Sequence, residues 1–338
     1  MAVKKKPDMV RLKKFLSMPQ FPARCGKVAK DAMGVELEHE FPQAIMLDHI
    51  RALLNANLGK DAWIVEPDGS LRGNGLEFIS KPLTLAPLLE HIDALYSAFD
   101  AYGAKPAQSH RTSTHVHINF SKNTLKEVYQ FLLLYYFLEP TLFCLTEEDR
   151  WHNTFCVSSE TVPYQISELG NNFYPFWEEF QQKERYKYSS LNLVPFTELG
   201  TLESRIYHGA YDVGELKKWV TALAEVKQFA VSFPSMKALY KFLEETEFKD
   251  VLKKVFVTTH KFVVEHIAMR EKKLYDLANI GNSMAYPLLG LEKRFKEAED
   301  FFTEEQERVR QLVLKLQQNE KEVENYDGIF ELFDEAPV

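Results

Sequence analysis

Glutamates alternate with apolar residues in the segment Gly34-Val35-Glu36-Leu37-Glu38-His39-Glu40. Side chains along a β-strand point to opposite faces in turn, so residues two apart share a face. The three glutamates therefore lie on one face, and Val35 and Leu37 lie on the other. This segment predicts a strand that has one buried face and one face lined by carboxylates.

The same alternation occurs in three further segments, whose polar faces carry acids, imidazoles and a guanidinium. An ordinary solvated sheet face mixes Lys, Thr, Gln and Glu, so this narrower selection indicates a chemical role. One such segment alone is typical of a solvent-exposed strand. The inference of a chemical role rests on the occurrence of four such segments in one chain. The three segments are Gly75-Leu76-Glu77-Phe78-Ile79-Ser80, Thr114-His115-Val116-His117-Ile118-Asn119 and Thr201-Leu202-Glu203-Ser204-Arg205-Ile206-Tyr207.

If these strands share one sheet, their carboxylates crowd together and repel one another unless cations neutralise them. Hard oxygen ligands of this kind suit Mg²⁺ or Mn²⁺. We therefore expect an α+β fold with a curved, mainly antiparallel sheet. Its concave face is expected to be polar and to hold divalent metal, and helices are expected to cover the other face.

The chain changes character at about Asp212, where a mixture of short strands and helices gives way to helix almost throughout. Asp212 and Glu215 have the spacing of a helix N-cap. Further helices are predicted near Met236–Glu245 and Phe248–Leu277. The predicted divisions are a basic N-terminal arm (1–30), a mixed region (31–232) and a helical C-terminal region (233–338).

The last long helical segment carries apolar residues at a strict spacing of seven, which is typical of a coiled-coil seam. Such a seam packs on its own domain in most proteins, and it also suits self-association or a partner helix. The residues of this seam are Phe295, Phe302, Val309, Leu316 and Val323.

Composition excludes several classes of protein. The formal net charge of −8 over 338 residues argues against a surface built for nucleic acid. The most apolar run, Phe131–Leu145, is interrupted by Glu139 and Pro140 and is too short to span a membrane. The three cysteines are widely spaced, which fits reduced thiols. We expect a soluble, cytoplasmic protein with no membrane partner.

P-loop and dinucleotide-binding fingerprints are absent from the sequence.

The polar segments also occur in a recognisable order, and together they resemble the motifs of amidoligases related to glutamate–cysteine ligase and glutamine synthetase. The resemblance covers residues 31–232, and it departs from the family at Lys81-Pro82, where a double proline is usual. The matching motifs are Gly34-x-Glu36-x-Glu38, Asp68-Gly69-Ser70-Leu71, Gly75-x-Glu77-x-x-Ser80, His115-Val116-His117, Arg185-Tyr186 with Asn192, and Leu202-Glu203-x-Arg205.

This resemblance implies a glutamine synthetase-like catalytic domain that joins a carboxylate to an amine in two steps. ATP would phosphorylate the carboxylate, and the amine of a small molecule or peptide would then attack the acyl phosphate. The implied ligands of Mg²⁺ or Mn²⁺ are Glu36, Glu38, Glu77 and His117. The implied catalytic residues are Arg205, Glu203 and Arg185, and the implied nucleotide or substrate contacts are Asp68, Ser70, His115 and Asn192. Arg150 is a further candidate.

Two other functions remain open from the sequence. A metal-dependent hydrolase or nuclease would use the same acids and histidines to activate water. A non-catalytic scaffold would act through its C-terminal helices and would keep the polar sheet face only as a relic. Dependence on ATP separates the ligase from the hydrolase, and failure to bind ATP with Mg²⁺ favours the scaffold.

Overall fold

The computed structural model describes residues 28–42, 47–59, 62–107, 109–160 and 187–290. Residues 1–27 of the basic arm, Arg185 and the heptad segment after residue 290 lie outside the described residues. The described residues all belong to one compact unit, Met1–Glu292. The division between residues 232 and 233 stays a prediction.

The described elements combine one sheet with many helices, and the expected α+β class is confirmed. Short 3₁₀ helices also occur at Glu148–His152 and Tyr286–Leu289. In chain order the elements are β1 (Met33–Phe41), α1 (Leu47–Leu58), β2 (Trp63–Pro67), β3 (Asn74–Ser80), α2 (Leu85–Tyr102), β4 (Ser113–Asn119), α3 (Leu125–Cys144), β5 (Leu191–Asn192), α4 (Pro195–Glu198), β6 (Thr201–His208), α5 (Val213–Val231), α6 (Met236–Glu245), α7 (Phe248–Val255), α8 (His260–Met269) and α9 (Leu274–Ala285).

The sheet has six strands in the order β2-β3-β1-β4-β6-β5, and each neighbouring pair is antiparallel. Register places the polar residues of the central strands beside one another. The directly opposed pairs are Glu38 with Glu77, Glu36 with His115, and His117 with Glu203. The prediction that four separate segments contribute their polar residues to one face of one sheet is therefore confirmed.

The opposite face of the sheet is apolar and lies under helices α2, α3 and α5. Phe78 packs edge-on against Phe99 of α2, with ring centroids 5.0 Å apart. Tyr207 stacks on Trp219 of α5 at 4.9 Å. Burying side chains of this size contributes roughly 1.5–3 kcal/mol each. Completely buried residues on this face include Leu37, Phe78, Val116 and Leu202.

Local signals fix several helix ends. Asp212 accepts a hydrogen bond from the backbone N–H of Glu215 at 2.9 Å, which confirms the predicted N-cap of α5. Helix α6 has the predicted bounds. The stretch Phe248–Leu277 is divided among α7, α8 and the start of α9. Among the described helices, none combines the length and apolarity needed to cross a membrane.

A buried carboxylate in α3 holds the backbone on both sides of residues 161–186. Glu139 is fully buried and accepts hydrogen bonds from the Ser158 hydroxyl at 3.2 Å and from the Ser159 N–H at 3.0 Å. The Ser190 hydroxyl also donates to it. Burial raises the pKa of Glu139 from 4.5 to about 7, although the serine hydrogen bonds act in the opposite direction.

Glu139 is therefore expected to make stability depend on pH. Its folded-state pKa lies above its unfolded value, so the contribution of Glu139 to stability is fully present below pH 4.5 and is lost as pH rises through about 7. Relative to Glu139→Gln, which cannot ionise, the wild-type protein should lose about 3 kcal/mol across this range. Urea unfolding of both proteins between pH 4.5 and 8 measures this difference. A difference that stays constant with pH would contradict the assignment.

Candidate active site

His115 lies at the centre of the polar face of the sheet. Its Nδ1 atom lies 3.2 Å from Glu36 Oε2 and 3.4 Å from Glu203 Oε1, and its Nε2 atom lies 3.8 Å from Glu38 Oε1. These acids come from β1 and β6, the two strands that flank β4. One buried imidazole therefore contacts three carboxylates from the two neighbouring strands.

Glu36 lies between two imidazoles. His117 Nε2 is 3.0 Å from Glu36 Oε1, and His117 Nδ1 is 2.9 Å from the Thr201 hydroxyl oxygen. Burial alone would raise the pKa of Glu36, but hydrogen bonds from His115 and His117 lower it well below its usual value. Burial lowers the pKa of His117, but the hydrogen bond to Glu36 and the charges of Glu36 and Glu203 together outweigh burial, and the pKa is raised. The pair is thus stabilised in its charged form.

Glu77 carries the repulsion within the cluster. Burial and, to a smaller extent, the charges of Glu36, Glu38, Asp68 and Glu66 together raise its pKa to about 8. Glu66 lies directly opposite Glu77 on β2. Glu66 was not predicted from the sequence, because it follows three consecutive apolar residues, Trp63, Ile64 and Val65, and lies in a segment without alternation. The face holds more negative charge than its histidines balance.

Two groups of side chains in the cluster have the composition of a cation site, and they share His115. One group is Glu36, His115 and Glu203, and the other is Glu38, Glu77 and His115, with ligand atoms within 4.8 Å of one another in each. Crowded carboxylates that raise one another's pKa are relieved by a divalent cation. The donor set therefore fits Mg²⁺ or Mn²⁺.

Arg205 and Asn192 both hold Glu203. Asn192 Nδ2 donates to Glu203 Oε2 at 2.6 Å, and Arg205 Nη1 donates to Glu203 Oε1. Arg205 Nη1 also lies 3.5 Å from His115 Nδ1. The guanidinium, which is only 8% exposed, therefore lies beside both the acids and the central imidazole.

Ser113 orients Glu38 and was missed by the sequence analysis. Its N–H and its hydroxyl donate to Glu38 Oε2 at 2.9 and 2.6 Å, and its hydroxyl oxygen lies 2.8 Å from His115 Nε2. Ser113 precedes His115 by two positions, so it lies on the same face of β4. Extending the alternation by one step would have found this residue.

The other predicted contacts lie at the border of the cluster or outside the described residues. Asp68 and Ser70 form a turn between β2 and β3, in which the Ser70 N–H donates to Asp68 Oδ1 at 2.7 Å. Arg111 Nη1 donates to the Ser70 carbonyl oxygen at 3.0 Å. Asp68 influences the cluster through its charge on Glu77. Arg185 is among the residues that the structure leaves undescribed.

A cavity of about 480 Å³ adjoins the cluster, and Glu36 and His117 line it. Much of the remaining wall is apolar and includes Ile64, Ile79 and Leu199. Ile64 and Ile79 are opposed residues of β2 and β3, so the cavity lies over the same sheet face as the acids. The site therefore offers an apolar space next to a strongly charged one.

Residues 27–226 match a family model described as "Putative amidoligase enzyme". The match spans more than half of the 338 residues and includes every strand of the sheet. The chain belongs to this amidoligase family, whose name describes a ligase that forms amide bonds. No curated protein matches the chain in sequence.

Proposed function

We propose that this protein is an ATP-dependent ligase that joins a carboxylate to an amine through an acyl phosphate. One observation carries the proposal: a cluster of acids and imidazoles suited to divalent cations lies beside a buried arginine. Phosphoryl transfer requires this combination, because catalysis depends on positioning and on neutralising the charge of the moving group. Membership of the amidoligase family supports the second half of the reaction, amide formation.

Glu36, Glu38, Glu77 and His117 are the residues proposed to hold Mg²⁺ or Mn²⁺. The three acids belong to the two cation-suited groups, in which the imidazole is that of His115, and His117 adjoins them through its contact with Glu36 at 3.0 Å. A divalent ion bound there supplies positive charge that offsets the charge of ATP phosphates. Ser113 keeps Glu38 oriented, and Thr201 orients His117. Side chains fixed in this way give a site of defined geometry.

The proposed reaction has two balanced steps. A carboxylate oxygen of the substrate attacks the γ-phosphorus of ATP, and ADP leaves. The amine nitrogen then attacks the acyl carbon, inorganic phosphate leaves, and the nitrogen loses a proton. Arg205 stabilises the negative charge on the transferring phosphoryl oxygens. Glu203, which Arg205 and Asn192 hold in place, orients the amine. The apolar cavity beside Glu36 accommodates the uncharged part of a ligand whose charged end reaches the cluster.

An isotope experiment tests the acyl-phosphate route. Purified protein with Mg²⁺ and ATP is given a panel of carboxylates labelled with ¹⁸O, and hydroxylamine serves as a general amine acceptor. The proposal predicts ADP release, a hydroxamate product and one ¹⁸O atom in the released phosphate, because the bridging oxygen stays with phosphorus. The Arg205→Lys protein is the control for contaminating ATPases.

The possible outcomes separate the three functions. Release of unlabelled phosphate from ATP, with no hydroxamate from any carboxylate, would contradict a ligase. Hydrolysis that needs metal but no nucleotide would instead identify a hydrolase or nuclease. Absence of ATP binding in the presence of Mg²⁺ would favour the scaffold.

A further inference from the structure

Arg150 is a buried arginine that lies outside the cluster but contacts the backbone of Arg205. It belongs to the 3₁₀ helix Glu148–His152 and is 2% exposed. Its Nη2 atom donates to the carbonyl oxygen of Arg205 at 2.7 Å, and its Nε atom donates to the carbonyl oxygen of Ile206 at 3.2 Å. Two nitrogens on one edge of the Arg150 guanidinium therefore donate to the carbonyl oxygens of two consecutive residues of β6.

These two residues form an irregularity in the sheet. Thr114 is opposed to Tyr207 and Val116 to Ser204, so Arg205 and Ile206 together face the single residue His115. Two residues opposite one are the definition of a β-bulge. In a regular strand, consecutive carbonyls point to opposite sides, and one planar group does not reach both. The bulge makes the double contact of Arg150 possible.

The bulge also determines where the Arg205 side chain points. The Arg205 N–H donates to the carbonyl oxygen of Ser190, the residue before β5, at 2.9 Å, while the Arg205 carbonyl oxygen accepts from Arg150. The Arg205 Nε atom lies 3.4 Å from the carbonyl oxygen of Phe155, which follows the 3₁₀ helix of Arg150. Backbone and side chain of Arg205 are thus fixed by the same neighbouring segment.

Burying a charged guanidinium costs free energy unless its donors are well satisfied. Within the part of the chain that the structure describes, no carboxylate forms an ion pair with Arg150, and carbonyl oxygens of the bulge accept its hydrogen bonds. A neutral residue would fill the same space without that cost. The placement of a cation here is explained by the need to hold two carbonyls in one orientation.

We propose that Arg150 is a positioning residue that sets the direction of Arg205 by holding the bulge. This inference rests on the proposed function, in which Arg205 acts on the transferring phosphoryl group. Arg150 itself touches no reacting atom. Bulges re-aim side chains next to active sites, and misplacing a catalytic group by about 1 Å can cost about 10²-fold in rate.

Arg150→Lys is the informative variant, because lysine keeps the charge but has a single donor centre that cannot span both carbonyls. Its kcat is expected to fall between about 10-fold and 10²-fold, with the KM for ATP within about threefold of wild type. Arg270→Lys is the matched control, since Arg270 donates to the carbonyl oxygen of Thr146, away from the cluster. A similar kcat for the two variants would overturn the proposal.

A double-mutant cycle shows whether Arg150 acts through Arg205. In an Arg205→Lys background, the further change Arg150→Lys should lower kcat by less than about threefold, because the group being positioned is already lost. Full multiplication of the two losses would refute the coupling.

Nuclear magnetic resonance provides a test that needs no turnover and therefore stands even if the ligase proposal fails. The Nε–H signal of Arg205 is assigned by its loss in Arg205→Lys. It should shift or broaden in Arg150→Lys and stay unchanged in Arg270→Lys. An Arg205 signal that is identical in wild type and Arg150→Lys would show that Arg150 does not set its environment.

Discussion

Arg205→Lys is expected to lower kcat by about 10²–10³-fold, the loss typical when one preorganised donor is removed from a transition state. Lysine keeps the positive charge next to Glu203, so the acids remain partly balanced. It lacks the planar fork that contacts two phosphoryl oxygens together. Mg–ATP binding and thermal stability should stay close to those of wild type. Turnover with coupled detection of ADP measures the loss.

The structural alternative for Arg205 predicts a different result. If the guanidinium serves only as the ion-pair partner of Glu203, then Arg205→Ala should lower the free energy of unfolding by about 3–5 kcal/mol, because a buried carboxylate loses its partner. Under that alternative Arg205→Lys should retain turnover. Arg270→Lys again controls for the general effect of replacing a partly buried arginine. Wild-type turnover by Arg205→Lys would show that Arg205 is not a catalytic residue.

Glu36→Gln is expected to weaken the binding of Mn²⁺, and of ATP with Mg²⁺, by at least about 10²-fold. Glu36 is the acid that both histidines contact, and it belongs to one of the two groups suited to a cation. Mutation of a residue that only orients a metal ligand typically lowers metal affinity by about 10–100-fold, so loss of the ligand itself should lower the affinity at least as much. Titration calorimetry with and without chelator measures both affinities.

Glu40→Gln is the matched control for Glu36→Gln. Glu40 lies on the same face of β1, and its Oε1 atom accepts a hydrogen bond from the Arg72 N–H at 2.7 Å. It belongs to neither of the cation-suited groups. Both variants remove one negative charge from the same strand, so a general electrostatic effect would affect them equally. Equal affinities in the two variants would contradict the assignment of Glu36 as a metal ligand.

Local periodicity predicted much of the sheet and its polar face. Val35 and Leu37 alternate with glutamates, and this pattern identified both the strand and the face that each residue occupies. The same rule applies to Ser113, which escaped notice because β4 begins one residue earlier than expected. Glu66 has no such signal, because it follows three consecutive apolar residues in the short edge strand β2. The omission of Ser113 was an incomplete use of a valid signal.

Other features have no local signal. Arg150 reaches β6 across 55 residues of sequence, and no pattern in either segment indicates the contact. Glu139 was interpreted only as an interruption of an apolar run, whereas the structure pairs it with serines 19 to 51 residues away. The bulge at Arg205 depends on how two strands pair, which side-chain alternation along one strand does not reveal. Such contacts are products of tertiary packing.

Strand β1 has a consequence for how this protein can change. Its odd-numbered residues from Val35 to Phe41 are buried against helices, while Glu36, Glu38 and Glu40 face the cluster. Because side chains alternate between the two faces of a strand, inserting or deleting one residue would turn the carboxylates towards the apolar core and the apolar side chains towards the acidic cluster. Single substitutions can tune either side separately. Changes of length within this strand cannot, so the spacing of β1 is constrained twice over, once by folding and once by chemistry.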